Sequence, residues 1–179
     1  MITEIGGLPA HVLLVHAIVV LAPLGALFTI LSVVWPAARR KLGFISPLTC
    51  LVVLVLTPVT TNAGEWLEER LTARGPDEAI EKHADLGDTF LLFAVGLFVF
   101  SAAVWWIGRM DDRASGEAND ASGGTAVATR TSVPVAVRYA VAVVAVLVSV
   151  ATVVQLYRIG DSGASASWDY VKDLPARGN

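Results

Sequence analysis

Four long apolar runs decide what this chain can fold into. They fall at Val12–Trp35, Phe44–Ala63, Thr89–Ile107 and Val133–Tyr157. Each reaches or approaches the ~20 residues a helix needs to cross the hydrocarbon core of a bilayer. Hydrocarbon offers no partner to backbone N–H and C=O groups, so segments of this length satisfy themselves as helices. The remainder of the chain agrees: only 16% of the 179 residues are charged, where a soluble domain carries about 25%. Mean hydropathy is +0.64. A net charge of −3 without any long Lys/Arg run excludes a nucleic-acid surface. The expectation is an all-α membrane protein, a four-transmembrane-helix bundle formed as a single domain over residues 1–179, with the lipid bilayer as its first partner.

The ends and connections set the topology. The first ten residues carry Glu4 and no Lys or Arg, so the first run reads as a retained helix and not as a signal peptide. PAARRKLG (Pro36–Gly43) is short enough to make the first two spans an antiparallel hairpin. Pro58, late in the second run, is expected to kink or fray it. Gly64–Lys82 reads as a short amphipathic helical stretch, a Gly75-Pro76 break and an acidic stretch. Asp111–Thr131, rich in Gly, Ala, Ser and Asp, reads as a flexible cytoplasmic linker between the third and fourth helices.

Four crossings put the N-terminus, the second loop and the C-terminal tail on one side. That side holds six Lys/Arg against twelve acids, and the other holds seven against four. Arg39, Arg40 and Lys41 crowd the tight first hairpin. The positive-inside rule then assigns the hairpin to the cytoplasm and both termini to the outside of the cell membrane. Trp35, Trp105, Trp106 and Tyr139 fall at one interface, and Trp66, Tyr157, Trp168 and Tyr170 at the other, as aromatic belts do. Gly87, Ala94 and Ser101 recur every seven residues, and Ala142, Ala145, Ser149 and Thr152 form a second stripe. Such small residues let membrane helices approach closely.

All three histidines gather on the outer side. His11 precedes the first span, His16 lies about a turn inside it, and His83 opens the third. His16 shares a helix face with Val20, Pro23 and Leu27; His83 shares one with Gly87, Phe90 and Ala94. If those faces meet, His16 and His83 lie at similar depth on different helices. Membrane b-type cytochromes ligate haem by such a pair, with small residues such as Gly87 making room for the macrocycle. Two other readings stay open: a metal held by His16, His83, His11 and Asp88, and histidines that only bond to headgroups or carboxylates. Asp88 could orient an imidazole or could simply favour a helix N-terminus, as Asp85 could. Glu65 and Glu69 add an i, i+4 acidic pair. The single Cys50 sits in an apolar run and reads as a packing residue. No hydrolase, phosphate-loop or dinucleotide motif is present, so no catalytic residue is assigned.

Four stretches together carry a resemblance. GLPAHVLLVH (Gly7 to His16), TPVTTNAGEWLE (Thr57 to Glu68), HADLGD (His83 to Asp88) and YRIGDSGASASW (Tyr157 to Trp168) resemble the prokaryotic membrane-protein family called domain of unknown function twenty-two thirty-one. The resemblance implies a four-helix membrane protein, some of whose relatives are fused to redox-type modules. It marks His11, His16, Gly64, His83, Gly87 and Asp88 as motif positions. It favours a haem b or electron-transfer role; with no cytochrome c motif in this chain, the electron partner is a separate redox protein or a quinone. The alternative is a cofactor-free membrane scaffold or accessory subunit.

Overall fold

A computed structural model describes residues 3–73, 75, 77–120 and 133–168. A two-strand hairpin, β1 (Glu4–Ile5) and β2 (Leu8–Pro9), opens the chain and leads into α1 (Ala10–Val34). Gly6 and Gly7 take φ of 60° and 80°, the left-handed region that the type I′ form of a two-residue hairpin turn uses at both central positions. The hairpin aims the chain so that the Ala10 N–H donates to the Thr3 carbonyl. α1 therefore begins one residue ahead of His11, and that histidine lies inside the helix rather than before it.

A short helix, α2 (Pro36–Leu42), fills the first hairpin, with Pro36 at its first position, where proline sacrifices no helical hydrogen bond. α3 (Ile45–Thr72) runs through Pro58. The helical stretch expected from Gly64 onward is the end of α3 itself, which runs unbroken out of the second span to Thr72. α4 (Glu78–Asp120) opens with the Asp77 carboxylate capping the Ala79 and Ile80 N–H groups. It carries residues 111–120 in helical form; residues 121–131 of the segment expected to be a linker lie outside the described residues. α5 (Val135–Trp168) closes the bundle. α1, α3, α4 and α5 are each long and apolar enough to cross a membrane, and together they form the four-helix membrane bundle.

Each span turns a narrow stripe of small residues inward. α1 buries Ile18, Ala22, Gly25, Ala26, Thr29 and Ser32; α3 buries Ser46, Cys50, Val53, Thr57 and Thr60. α4 contributes Phe90, Ala94, Leu97 and Ser101, and α5 contributes Ala145, Ser149 and Thr152. Buried hydroxyls do not orphan themselves: Thr29, Thr57, Ser149 and Thr152 each donate to the carbonyl four residues back. Ser46 and Ser101 hydrogen-bond across α3 and α4 at 3.0 Å. Large apolar residues such as Val20, Leu27, Val55, Leu92 and Leu147 face outward, the inverse of a soluble core and the arrangement a lipid solvent requires.

Candidate functional site

The histidine end of the bundle is built from one arrangement used twice. His11, in the first turn of α1, places Nδ1 3.0 Å from the Thr60 carbonyl on α3. His83, in the second turn of α4, places Nδ1 3.1 Å from the Ile159 carbonyl on α5 and 3.1 Å from Ser162 Oγ. In both cases the residue four positions after the accepting carbonyl is glycine. A Cβ on Gly64 would stand 2.9 Å from His11 Nδ1, and one on Gly163 would stand 2.9 Å from His83 Cε1. Only glycine leaves space for a ring to lie against the helix and reach that carbonyl.

The chemistry follows from the anchoring. A carbonyl only accepts, so in each neutral ring Nδ1 carries the proton and donates. Nε2 is then the nitrogen with the free lone pair, and neither Nε2 has a hydrogen-bond partner among the described residues. A ring nitrogen bound to backbone carbonyl through its N–H, with the other nitrogen free, is the form in which imidazole binds metals. The two rings stand with centroids 6.2 Å apart and planes at 89°.

A cavity of about 480 Å³ opens beside the pair, between α1, α3, α4 and α5. Ile18, Phe90 and Leu156 give it an apolar floor; Gly64, Gly87, Gly160 and Gly163 thin its walls. Glu65, Glu68 and Asp88 also line it, without a Lys or Arg among the described residues.

The partner of His83 differs from the one the sequence suggests. His16 lines the same cavity but is exposed, and its Nδ1–H donates to the Val12 carbonyl of its own helix. The face it shares with Val20 and Leu27 is the outward one, with those two residues 64% and 50% exposed. His11 occupies the place expected of His16. Asp88 does not orient an imidazole: all three rings give Nδ1 to a backbone carbonyl. His11, His16, His83 and Asp88 do not converge either, and no group of three or more His, Cys, Asp or Glu suited to one metal ion exists among the described residues. Sequence reasoning passed over Thr60, Ile159, Ser162 and Gly163. The i, i+4 glycine spacing is their signal, though it does not say which ring each carbonyl meets.

No curated protein and no solved structure matches the chain. The family model that does match covers residues 7–173, which takes in both histidine anchors and all four spans. The chain belongs to the integral membrane family described as "Predicted membrane protein (DUF2231)".

Proposed function

We propose that this protein is a b-type haem protein of the cell membrane, whose iron His11 and His83 would hold, and that it relays single electrons. The observation that carries the reading is the His11–His83 pair itself. A metal–imidazole bond is about 2.0–2.1 Å, and a ring nitrogen lies about 1.1 Å from its ring's centre, given bond lengths near 1.35 Å. Two imidazoles that both held one iron would need centroids roughly 6.3 Å apart. His11 and His83 have 6.2 Å, and the adjoining cavity of about 480 Å³ is of the size cofactor sites have.

When bound, the iron supplies reversible one-electron chemistry whose potential depends on axial ligation and burial. The protein's own part is to fix both tautomers through Thr60 and Ile159, hold the rings with Gly64 and Gly163, and surround the site with Ile18, Phe90 and Leu156. The lining carboxylates Glu65, Glu68 and Asp88 would not complement a macrocycle's own carboxylates. The positive-inside rule supports a site on the outer side, with both termini there. Electrons would be exchanged with a separate redox protein or a quinone.

A second reading rests on the same hydrogen bonds. His11 ties α1 to α3 and His83 ties α4 to α5, which suffices for a cofactor-free scaffold or accessory subunit. Visible spectra of the detergent-purified protein, oxidised and then dithionite-reduced, separate the two. The haem reading expects a reduced α-band and Soret shift that His11→Ala or His83→Ala abolishes and His16→Ala retains. A flat spectrum after expression with ample haem, or a band that survives without His11, refutes it and leaves the scaffold.

A further inference from the structure

Beyond the histidine site, a second concave feature lies on the outside of the seam between α4 and α5. It is a groove of about 380 Å³ lined by Lys82, Asp85, Leu86, Tyr157, Arg158, Asp161 and Ser162. Two cations and two carboxylates share this small space, yet none of the four is in an ion pair among the described residues. Arg158 is exposed, with its Nη1 3.5 Å from Gln155 Oε1, at the outer edge of hydrogen-bond distance. Gln155 is itself buried and locked by its amide to the Thr89 hydroxyl and the Leu86 carbonyl. Opposite charges are thus displayed side by side without neutralising each other.

The groove has an apolar approach. Val143, Leu147, Val150, Val154 and Tyr157 recur at alternating spacings of four and three, and each is at least half exposed. They form a straight lipid-facing track up α5 that ends at the groove, with Tyr157 at the level where aromatic rings meet headgroups.

We infer that this groove is a binding site for one phospholipid with a zwitterionic phosphoethanolamine head. The phosphate monoanion pairs with Lys82 and Arg158, the primary ammonium with Asp85 and Asp161, and an acyl chain lies along the Val143–Val154 track. The track selects a lipid over a water-soluble phosphoethanolamine. A primary ammonium has three N–H donors for the two carboxylates, whereas a quaternary choline head has none. An anionic phosphatidylglycerol head would satisfy the two cations and leave both carboxylates facing its own charge.

The test is native mass spectrometry of the full chain released from bilayers with equal phosphatidylethanolamine and phosphatidylglycerol, with folding followed by circular dichroism and thermal unfolding. The wild type should retain the ethanolamine lipid by roughly tenfold over the glycerol lipid, the size of two partly exposed charge contacts. Asp85→Asn with Asp161→Asn should bring that ratio near unity, and Lys82→Gln with Arg158→Gln should lose retention of both lipids. Should a double variant fail to fold, Asp161→Asn alone still has to lower the ratio. Equal retention by the wild type, or a preference untouched by the carboxylate changes, overturns the inference. So does displacement of the lipid by soluble phosphoethanolamine at equal concentration, which assigns the groove to a soluble ligand.

Discussion

Replacing Gly163 by alanine tests the histidine site more sharply than removing a histidine, because the added methyl is inert. Its Cβ would stand 2.9 Å from His83 Cε1 and 3.2 Å from Nδ1, where ordinary contact begins near 3.4 Å. The ring must therefore withdraw by about half an ångström. That carries the Nδ1···O contact with Ile159 from 3.1 Å to about 3.6 Å, beyond hydrogen-bond range. Losing the bond costs about 1 kcal/mol net, and overpacking a tight contact costs about 1–3 kcal/mol. Alanine's better helix propensity returns up to about 1 kcal/mol. The balance is a destabilisation of about 2 kcal/mol.

Gly160 provides the control, since it lines the same cavity on the same helix and a Cβ there meets nothing within 4 Å. Gly160→Ala should be neutral or stabilising by up to about 1 kcal/mol. Unfolding both variants in detergent should separate them by about 2–3 kcal/mol. Equal stabilities would refute the claim that glycine at 163 exists to seat the ring.

Three further outcomes follow. If His11 and His83 hold a haem iron as proposed, their ring planes at 89° should give the oxidised protein the highly anisotropic low-spin electron paramagnetic resonance signal of perpendicular imidazoles; a rhombic signal typical of parallel planes would contradict that proposal. Ser46→Ala removes the buried bond to Ser101 between α3 and α4 and should destabilise by about 0.6 kcal/mol, the average for interhelical bonds in membranes, as read by unfolding in mixed micelles. Gly108→Ala should stay within about 1 kcal/mol of wild type by the same assay, although its Cβ would come within 2.6 Å of Arg39 Nε: that nitrogen is buried but has no hydrogen bond to lose among the described residues, and the long side chain that carries it can shift, unlike a ring tied at its nitrogen.

The bundle was legible because lipid imposes two strong constraints at once, span length and internal backbone satisfaction, and the four apolar runs meet both. The seven-residue spacing of Gly87, Ala94 and Ser101 also marks the inward face of α4 correctly, with Ala94 and Ser101 fully buried. Helix ends were less legible. α3 and α4 extend well past their apolar runs, because good helix formers such as the Glu-Trp-Leu-Glu-Glu-Arg-Leu stretch continue a helix that the bilayer has already nucleated.

The exchange of His16 for His11 has a more specific cause. In lipid, bulky apolar residues mark the outside of a helix and small ones the inside, so Val20 and Leu27 were poor guides to where His16 points. The buried stripe of α1 runs through Ile18, Ala22, Gly25, Thr29 and Ser32, alternating steps of four and three. Carried back toward the N-terminus, the same steps reach Val15 and then His11, while His16 falls two residues short of Ile18 and so almost opposite. The stripe alone would have chosen His11, but only if the helix were known to start before it. That start depends on the Gly6–Gly7 turn and the Ala10 to Thr3 bond, which fold the preceding residues back and let α1 begin at Ala10. The pairing of ring, carbonyl and glycine is a relation between helices, and it appears only when α1 meets α3 and α4 meets α5. Two glycines, 99 positions apart in sequence by their numbers 64 and 163, then perform one task twice, each seating a ring against the carbonyl four residues before it.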